Sequence, residues 1–502
     1  MTTTGVGQRV ASIGESRLGR GALAWVLAAV GVVAALAFWL LHDGLVDDAY
    51  ITLSYASNVA FHLHWGMIPH YTANTATSPL NVLLLAALTA VLRHTMWALG
   101  VLFVATYVVL GYSLLQVVRV RRLPAWGAVL ATVLVLASPL LLSTVGLETT
   151  LAAAMLGLML MAAVRARPVR FGVYAGLATL TRMDLVIFAV VLLLGTRKLW
   201  RGWWKSVLAA LAITVPWFAF SWVVLGSAVP DTLFYKTLHH SWGSRTFANG
   251  LWTMYLPTSP AAVVLAVLPA LLGLVALVIW LGARVLTRSA TARRLTPIGV
   301  LGAGGVLHFL AYCWIGVPPY HWYYGPALIT LSIVFAVCAA AVTGIVRYLC
   351  VGLVALVALS QAAFDGHHGL PWRAAPINGN WALPSQYAAI GRGLPARVGG
   401  HAVQSPGEVG TIAYFCHCDL VDYLSDRAAI LPVIHDFRQR SGGVERWLID
   451  LNFHFLDRDI TPIQTDYALK FVTQRPQGGS YWRATADSSA PKGYFVLLTT
   501  PH

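Results

Sequence analysis

The chain has 502 residues, of which 58% are hydrophobic and only 11% are charged, and its mean hydropathy is +0.69. A water-soluble fold of this size does not reach that balance, so the composition excludes a soluble enzyme and indicates an integral membrane protein. The net charge of +15 does not imply a nucleic-acid partner, because it is unevenly placed. Residues 1–361 hold 22 of the 34 Lys and Arg and 7 of the 19 Asp and Glu, whereas residues 362–502 hold 12 of each sign.

Long apolar runs predict membrane-spanning helices, because about 20 apolar residues cross a bilayer core of about 30 Å. Eight runs have roughly that length: 21–41, 96–118, 124–142, 148–164, 206–225, 260–282, 296–316 and 325–345. Three shorter runs bring the predicted crossings to eleven: 169–180, 185–196 and 348–361. The run 79–93 begins at Ser78-Pro79 and ends at Arg93, so we expect a surface helix there rather than a crossing.

The basic residues predict the orientation of the chain, because cytoplasmic loops are enriched in Lys and Arg. With a cytoplasmic N-terminus, 18 of the 22 lie in inner segments, and the outer segments keep only Arg93, Arg182, Lys236 and Arg245. The first run is too long for a signal-peptide core and lacks a small-x-small cleavage site, so we expect it to remain as an anchor. We therefore expect a multi-pass plasma-membrane protein whose C-terminal domain lies outside the cytoplasm.

The acidic residues of the membrane part indicate a site at the outer face. Apart from Glu15, all of them map to outer ends of predicted spans or to outer loops: Asp43, Asp47, Asp48, Glu148, Asp184 and Asp231. Carboxylates at membrane depth are costly and usually functional, although outer loops could carry acids simply because inner loops carry bases. Adjacent carboxylates without a nearby cation raise one pKa, so Asp47 and Asp48 are candidates for a base, a metal ligand or a binder of a cationic transition state.

The outer loops supply a second set of candidates. Tyr50 and Tyr55 belong to a segment rich in aromatic residues and histidine, a composition that suits either sugar stacking or an interfacial belt. Lys236, His239 and Arg245 could donate to an anion such as a lipid phosphate, or could be ordinary solvated charges.

Metal and thiol chemistry are weakly indicated. No ligand spacing requires a metal, so we predict no metal site, and a divalent cation held by Asp47 or Asp48 with a loop histidine stays open. The predicted outer location of Cys416-His417-Cys418 favours a local disulfide or an unpaired structural role over zinc.

A set of motifs occurs in a fixed order along almost the whole chain. They are Asp47-Asp48-Ala49-Tyr50, Thr77-Ser78-Pro79-Leu80, Gly146-Leu147-Glu148-Thr149, Thr181-Arg182-Met183-Asp184, Pro230-Asp231-Thr232 with Lys236, His321-Trp322-Tyr323-Tyr324, and in the tail GEVGTIAY from Gly407 and DLVDY from Asp419. This set resembles the GT-C superfamily of polyprenyl-phosphate-sugar-dependent glycosyltransferases, and more narrowly the mycobacterial-type arabinofuranosyltransferases. The chain departs from that pattern at Met183, where a proline is common, and in the loop before Ser78, which is not rich in glycine.

The resemblance implies a fold and a reaction. The fold is a polytopic α-helical membrane protein with about 11 crossings, residues 1–361 forming the GT-C catalytic domain with interfacial helices in an outer loop at 42–95. Residues 362–502 would form a small extracytoplasmic α/β domain. The reaction is transfer of a sugar, with arabinofuranose preferred, from a polyprenyl-phosphate donor to a polysaccharide or glycolipid of the cell envelope.

The resemblance also implies roles for individual residues. Asp47 or Asp48 would deprotonate the acceptor hydroxyl, with Asp47 preferred by family analogy. The donor phosphate would be met by the cationic and imidazole side chains of Lys236, Arg182, His321 and Arg245. The sugar, the acceptor or the oxocarbenium-like transition state would be supported by Glu148, Asp184, Tyr50, Tyr55, His239 and Tyr323.

Alternatives remain at this stage. A lipid-linked sugar transporter or flippase would also place charges in broken helices, and the donor could carry mannose or another hexose. A cell-wall scaffold with a degenerate site is the third possibility. In the tail, short apolar segments at 410–415, 468–472 and 494–499 predict strands, and the segment 443–456 is amphipathic, so we expect a small α/β domain. This domain could bind the acceptor glycan or only cap the cavity of the membrane part.

Overall fold

A computed structural model describes residues 19–238, 240–287, 289–485 and 492–500. Within these residues the chain is a bundle of helices followed by a small α/β domain. The helices of seven or more residues are α1 Arg20–Leu41, α2 Asp47–His62, α3 Pro79–Leu92, α4 Thr95–Arg121, α5 Ala125–Leu136, α6 Thr149–Val164, α7 Pro168–Thr181, α8 Val186–Gly195, α9 Trp203–Val224, α10 Thr232–Leu238, α11 Pro260–Gly282, α12 Ala290–Ile315, α13 Gly325–Ala341, α14 Ile345–His367, α15 Pro384–Gly393, α16 Gly410–Cys416, α17 Ile430–Arg440 and α18 Gly443–Asn452.

Short helical turns connect several of these helices. They are His42–Gly44, Pro139–Leu142, Met183–Leu185, Arg197–Trp200, Phe247–Gly250, Leu251–Tyr255, Leu256–Thr258, Ala283–Thr287, His321–Tyr324, Pro395–Val398 and Arg427–Ala429. The strands are β1 Val403–Gln404, β2 Leu420–Val421, β3 Tyr467–Val472, β4 Ser480–Ala484 and β5 Gly493–Thr499.

The described residues contain seven helices long and apolar enough to cross a membrane, which makes the chain a multi-pass membrane protein. These are the helices beginning at Arg20, Thr95, Trp203, Pro260, Ala290, His321 and Ile345. The other four predicted crossings correspond to the shorter helices α5 to α8, of which α5, α6 and α8 lie in apolar helical segments. The predicted run 124–142 is broken at Ala137–Ser138, because Pro139 lacks an N–H group and disfavours helical geometry in the residue before it.

Helix α13 forms the centre of the bundle, with 83% of its most apolar window buried, whereas α1 and α9 lie at the periphery with 17% and 11% buried. Helices α11 and α13 approach closely at Gly273, where an added Cβ would lie 2.0 Å from the Leu331 carbonyl oxygen. Small residues at such crossings let membrane helices pack backbone to backbone.

The C-terminal domain is built on a five-stranded mixed sheet of order β2-β1-β3-β5-β4. Strand β1 pairs in parallel with β2 and β3, and β5 pairs antiparallel with β3 and β4. The strands expected at 468–472 and 494–499 are present, but the strand expected at 410–415 is wrong, because this segment forms helix α16. Its first N–H groups are satisfied by a carboxylate from the membrane part, a long-range contact that local sequence patterns do not reveal.

Candidate active site

Asp47 begins helix α2 and joins the membrane part to the C-terminal domain. Its Oδ2 accepts hydrogen bonds from the N–H groups of Val409 and Gly410 at 3.0 and 2.9 Å, and its Oδ1 accepts from Thr411 at 2.7 Å. These donors belong to the first turn of α16, where helix N–H groups have no partner within the helix. Both oxygens of Asp47 are therefore engaged, and the carboxylate is 5% exposed.

The start of α16 and the start of α2 are in direct backbone contact. A Cβ added at Gly410 would lie 2.0 Å from the Asp47 carbonyl oxygen. Only glycine permits this approach, which explains the residue at this position in the GEVGTIAY motif.

A half-buried polar network supports this junction from the C-terminal domain. Asn380 accepts a hydrogen bond from the Asp47 N–H at 3.3 Å and donates to Glu408 Oε2 at 3.3 Å. Glu408 also accepts from the Trp381 N–H and from the Tyr387 hydroxyl. Burial, reinforced by the charge of Asp47, raises the pKa of Glu408 to about 8, so its carboxyl is largely protonated at neutral pH.

Asp48 is the carboxylate of the pair that remains available. It is half-buried, and burial raises its pKa to about 6. The positive charge of Lys236 opposes this rise, while the negative charges of Asp47 and Glu148 add to it. A carboxyl group with this pKa is ionised in most molecules at pH 7 and is a stronger base than an ordinary aspartate, which is what general-base chemistry requires.

Lys236 lies on α10 and is surrounded by aromatic rings. Its Nζ is 4.9, 5.7 and 5.6 Å from the ring centres of Tyr320, Trp322 and Tyr323. Across the described ranges, no carboxylate oxygen lies within ion-pair distance of Nζ. The ammonium group is therefore held by cation–π attraction and keeps its hydrogen-bond donors for an anion.

A buried ion network lies next to this cage. Arg182 Nη1 contacts Glu148 Oε1 at 2.7 Å, and Arg182 Nη2 contacts Asp184 Oδ2 at 2.8 Å. Asp184 Oδ2 also contacts His308 Nε2 and the Tyr312 hydroxyl, each at 2.7 Å. Two carboxylates thus occupy the guanidinium of Arg182, so this arginine serves to hold Glu148 and Asp184 rather than to offer an open anion site.

Tyr323 connects the two cationic groups. Its ring lies 5.3 Å from Arg182 Cζ and 5.6 Å from Lys236 Nζ. The sequence motif that begins at His321 therefore forms the wall shared by the lysine cage and the ion network.

An apolar groove of about 1120 Å³ lies on the other side of α10. Leu233, Phe234, Thr237 and Leu238 of α10 face this groove, whereas Lys236 faces the aromatic cage. Its opposite walls come from α17, from α18 and from α9, where the lining runs from Leu211 to Trp222, a distance of about 16 Å along the helix. The short helix α10 thus separates this apolar groove from a charged cluster, the name used below for Asp48, Lys236, Glu148, Arg182 and Asp184.

Other predicted residues have different positions. The Tyr50 ring packs against Tyr414 and Phe415 of α16, at 5.4 and 5.8 Å between ring centres. The fully buried Tyr55 donates to the Ala73 carbonyl at 2.9 Å and braces the outer loop. Both tyrosines therefore contact protein rather than the charged cluster.

Two residues predicted to bind the donor phosphate, His321 and Arg245, also lie outside the charged cluster. His321 is buried and its Nε2 lies 3.5 Å from the Ser143 carbonyl oxygen. Arg245 is exposed in a tight turn paired with Trp242. His239 lies outside the described residues.

Asp43 and Asp231 do not join the site. Asp43 is exposed beside His42. Asp231 is buried, accepts from the Ser227 hydroxyl at 2.8 Å, and lies 3.6 Å from Arg427 of the C-terminal domain. It therefore helps to attach the two parts of the chain.

Sequence reasoning assigned no role to four residues around Lys236 and Arg182, which are His308, Tyr312, Tyr320 and Trp322, nor to Glu408 beside Asp47, although Trp322 and Glu408 stand within motifs it singled out. A histidine within an apolar run is an intramembrane ionisable residue, and that signal could have identified His308. The role of Glu408 could not have been found, because it depends on the docking of a distant domain.

Within the described ranges, no group of three or more His, Cys, Asp or Glu is arranged to hold a metal ion. Cys416 and Cys418 form a disulfide at the end of α16. The local disulfide was one of the two arrangements expected for this pair.

No known family model and no curated protein sequence matches the chain. Among solved structures, ArnT from Cupriavidus metallidurans bound to undecaprenyl phosphate is similar over 95% of this chain and 98% of that chain, with 14% identity and a TM-score of 0.57. An oligosaccharyltransferase from Archaeoglobus fulgidus has 12% identity and a TM-score of 0.48, over 89% of this chain and 69% of that chain. The arabinofuranosyltransferase AftD from Mycobacteria has 17% identity and a TM-score of 0.45, over 78% of this chain and 30% of that chain.

The likeness to ArnT shows the fold alone, since the identity is so low. The chain has the GT-C fold with a small sheet-containing domain near the C-terminus, which confirms the predicted fold class. The other two likenesses have TM-scores too low to carry an argument.

Proposed function

We propose that this chain is an integral membrane glycosyltransferase that moves a sugar from a polyprenyl-phosphate donor to a cell-envelope glycan at the outer face of the membrane. The proposal rests on one arrangement. The half-buried carboxyl of Asp48 is close enough to Lys236 for the ammonium charge to lower its pKa, and a large apolar groove lies on the other side of the helix that bears this lysine. A lipid with a charged head and a long apolar tail needs these two surfaces close together.

The proposed reaction is a single displacement. Asp48 takes the proton from an acceptor hydroxyl, and that oxygen bonds to the anomeric carbon of the donor sugar. The bond between the anomeric carbon and the phosphate oxygen breaks, and polyprenyl phosphate leaves. Lys236 stabilises the departing phosphate, while the carboxylates of Glu148 and Asp184 stabilise positive charge that develops on the sugar ring.

The proposed roles of the pair differ from the family analogy. Asp47 was the preferred base, but its two oxygens cap α16, so we assign the base to Asp48 and a positioning role to Asp47. The apolar groove would hold the isoprenoid tail, which can enter it sideways from the bilayer along α9.

The orientation and the sugar are part of the proposal. The distribution of Lys and Arg supports placing the site and residues 362–502 outside the cytoplasm. The disulfide between Cys416 and Cys418 supports the same side, since disulfides persist in oxidising compartments. Arabinofuranose is the first donor sugar to test, on the strength of the motif order alone, with mannose and other hexoses next.

The test uses the purified full-length chain in lipid nanodiscs with polyprenyl-phosphoryl sugars and oligosaccharide acceptors. We expect extension of the acceptor, seen as a mass increase of one sugar, and at least about a 100-fold lower rate for Asp48→Asn, the usual contribution of a general base. Asp43→Asn is the matched control, because Asp43 is an exposed carboxylate close in sequence, and its rate should be unchanged. Movement of lipid-linked sugar across vesicles without transfer to any acceptor would instead establish the transporter alternative.

A further inference from the structure

Helix α18 of the C-terminal domain has two apolar faces. One face is packed: Ile449 and Phe453 are buried against Ile430 and Ile434 of the neighbouring segment. The other face is exposed, and its side chains recur at helical spacing with the following exposed fractions: Val444 76%, Trp447 60%, Leu448 53% and Leu451 39%. Leu448 and Leu451 also line the apolar groove, and Phe455, three residues beyond the helix, is 47% exposed. A stripe of four large apolar side chains, Val444, Trp447, Leu448 and Leu451, is costly to leave in water and marks a surface that something covers.

The stripe is continuous with the lipid-facing surface of a membrane helix. Trp222 near the outer end of α9 donates its indole N–H to the Leu451 carbonyl at 2.6 Å, and its ring meets Phe455 edge-on at 4.9 Å. Only 11% of the most apolar window of α9 is buried. Val223 and Val224, which follow Trp222, are 57% and 62% exposed. The exposed face of α18 therefore begins where the lipid-exposed surface of α9 ends.

We propose that α18 lies in the interface of the lipid bilayer, with Val444 and Trp447 inserted among the lipid chains and Leu448 and Leu451 at the margin where the apolar groove meets the lipid. A helix with an apolar face and little net hydrophobicity is suited to lie in this plane. Trp447 would occupy the headgroup boundary, where tryptophan is favoured. The C-terminal domain would then be anchored to the membrane by its own surface, in addition to its contacts with the bundle.

The charges around α18 indicate that apolar insertion supplies the attraction. The α17–α18 hairpin carries three acidic and three basic side chains: Asp436, Glu445, Asp450, Arg438, Arg440 and Arg446. Two of these pairs neutralise each other, Arg438 with Asp450 at 2.8 Å and Arg440 with Asp436 at 2.7 Å. The contact should therefore form on zwitterionic lipid and persist at high salt, unlike a polybasic membrane contact.

The test measures depth directly on the full-length chain in nanodiscs of phosphatidylcholine. A nitroxide is attached at Trp447→Cys in a background with Cys313→Ala, Cys338→Ala and Cys350→Ala, which keeps the Cys416–Cys418 disulfide. We expect the label to collide more with dissolved oxygen than with a water-soluble nickel chelate. A label at Lys470→Cys, an exposed position on β3, should show the reverse preference.

The same measurement at Val444→Cys, a position outside the groove, keeps the test available if the Trp447 variant does not fold. A nickel preference at both stripe positions overturns the proposal, because the stripe would then face water. Low access to both reagents also overturns it, since the stripe would then be covered by protein. The readout requires no substrate, so it stands or fails independently of the proposed transferase reaction.

Discussion

At the scale of single residues, Asp47 and Asp48 are adjacent and chemically identical, but they have different contacts and therefore different proposed roles. Successive residues of a helix point about 100° apart, so Asp47 turns toward α16 while Asp48 remains half-exposed within reach of the charge of Lys236. Burial raises the pKa of both carboxyls. The N–H groups of α16 oppose that rise at Asp47, and the charge of Lys236 opposes it at Asp48.

The raised pKa of Asp48 predicts a pH profile. If Asp48 is the base, kcat/KM should fall about tenfold per pH unit below about pH 6 and level off above it, since only the ionised carboxylate accepts a proton. The measurement is an initial-rate series between pH 4.5 and 8, with Asp43→Asn as the control that keeps the profile. A rate independent of pH in this range would contradict the assignment.

The same shift predicts an effect on stability. The folded pKa of Asp48 lies above its unfolded value, so the folded state binds the proton more tightly and loses stability as the pH rises through that interval. Asp48→Asn should therefore raise the thermal midpoint at pH 7 and leave it nearly unchanged near pH 4. A lower midpoint at pH 7 would show that the charge on Asp48 stabilises the fold.

At the scale of elements, helix α16 depends on its docking to α2. The segment is seven residues long, and isolated helices of that length are not stable in water. Its capping group comes from Asp47, more than 360 residues away along the chain, and the close approach requires Gly410.

Gly410→Ala should separate these two helix starts, because the added methyl would overlap the Asp47 carbonyl oxygen. We expect a loss of about 2 kcal/mol or more in stability, together with loss of transfer activity, since Asp48 shares the α2 terminus. Gly443→Ala is the matched control, as no atom lies within 4 Å of its added Cβ. The readouts are thermal unfolding in detergent and the transfer assay, and equal behaviour of the two variants would refute the docking argument.

At the scale of the whole molecule, polar contacts tie the C-terminal domain to the bundle at separate points. Asp47 caps α16, His70 contacts Asp419 at 2.8 Å, and Arg427 approaches the buried Asp231 at 3.6 Å. The domain therefore forms one side of the site, and Tyr423 from it packs edge-on against Tyr235, the residue before Lys236.

Arg427→Met should be strongly destabilising, because it leaves the buried carboxyl of Asp231 without its cation, and loss of one partner of a buried pair costs on the order of 3 kcal/mol. Arg438→Met is the control, since its pair with Asp450 is almost half exposed and contributes about 0 to 1 kcal/mol. Thermal midpoints of the two variants at equal protein and lipid concentrations check the difference. Similar midpoints would show that the Arg427 contact does not hold the domain.

The sequence by itself determined the class of protein, the positions of most helices and the GT-C fold. Apolar runs set membrane helices because a bilayer core has a fixed thickness and penalises every unpaired backbone group. The motifs also pointed to Asp48, Glu148, Arg182, Asp184, Lys236 and Tyr323, which the tertiary structure places around one cluster.

Only the tertiary structure decided which of these groups are free to react. The sequence could not show that Asp47 caps a helix, that two carboxylates occupy Arg182, or that Tyr50 and Tyr55 pack against protein. It also predicted a strand where α16 lies. The physical reason is the same in each case: availability and helix capping depend on partners far away in the chain, and local periodicity carries no information about them.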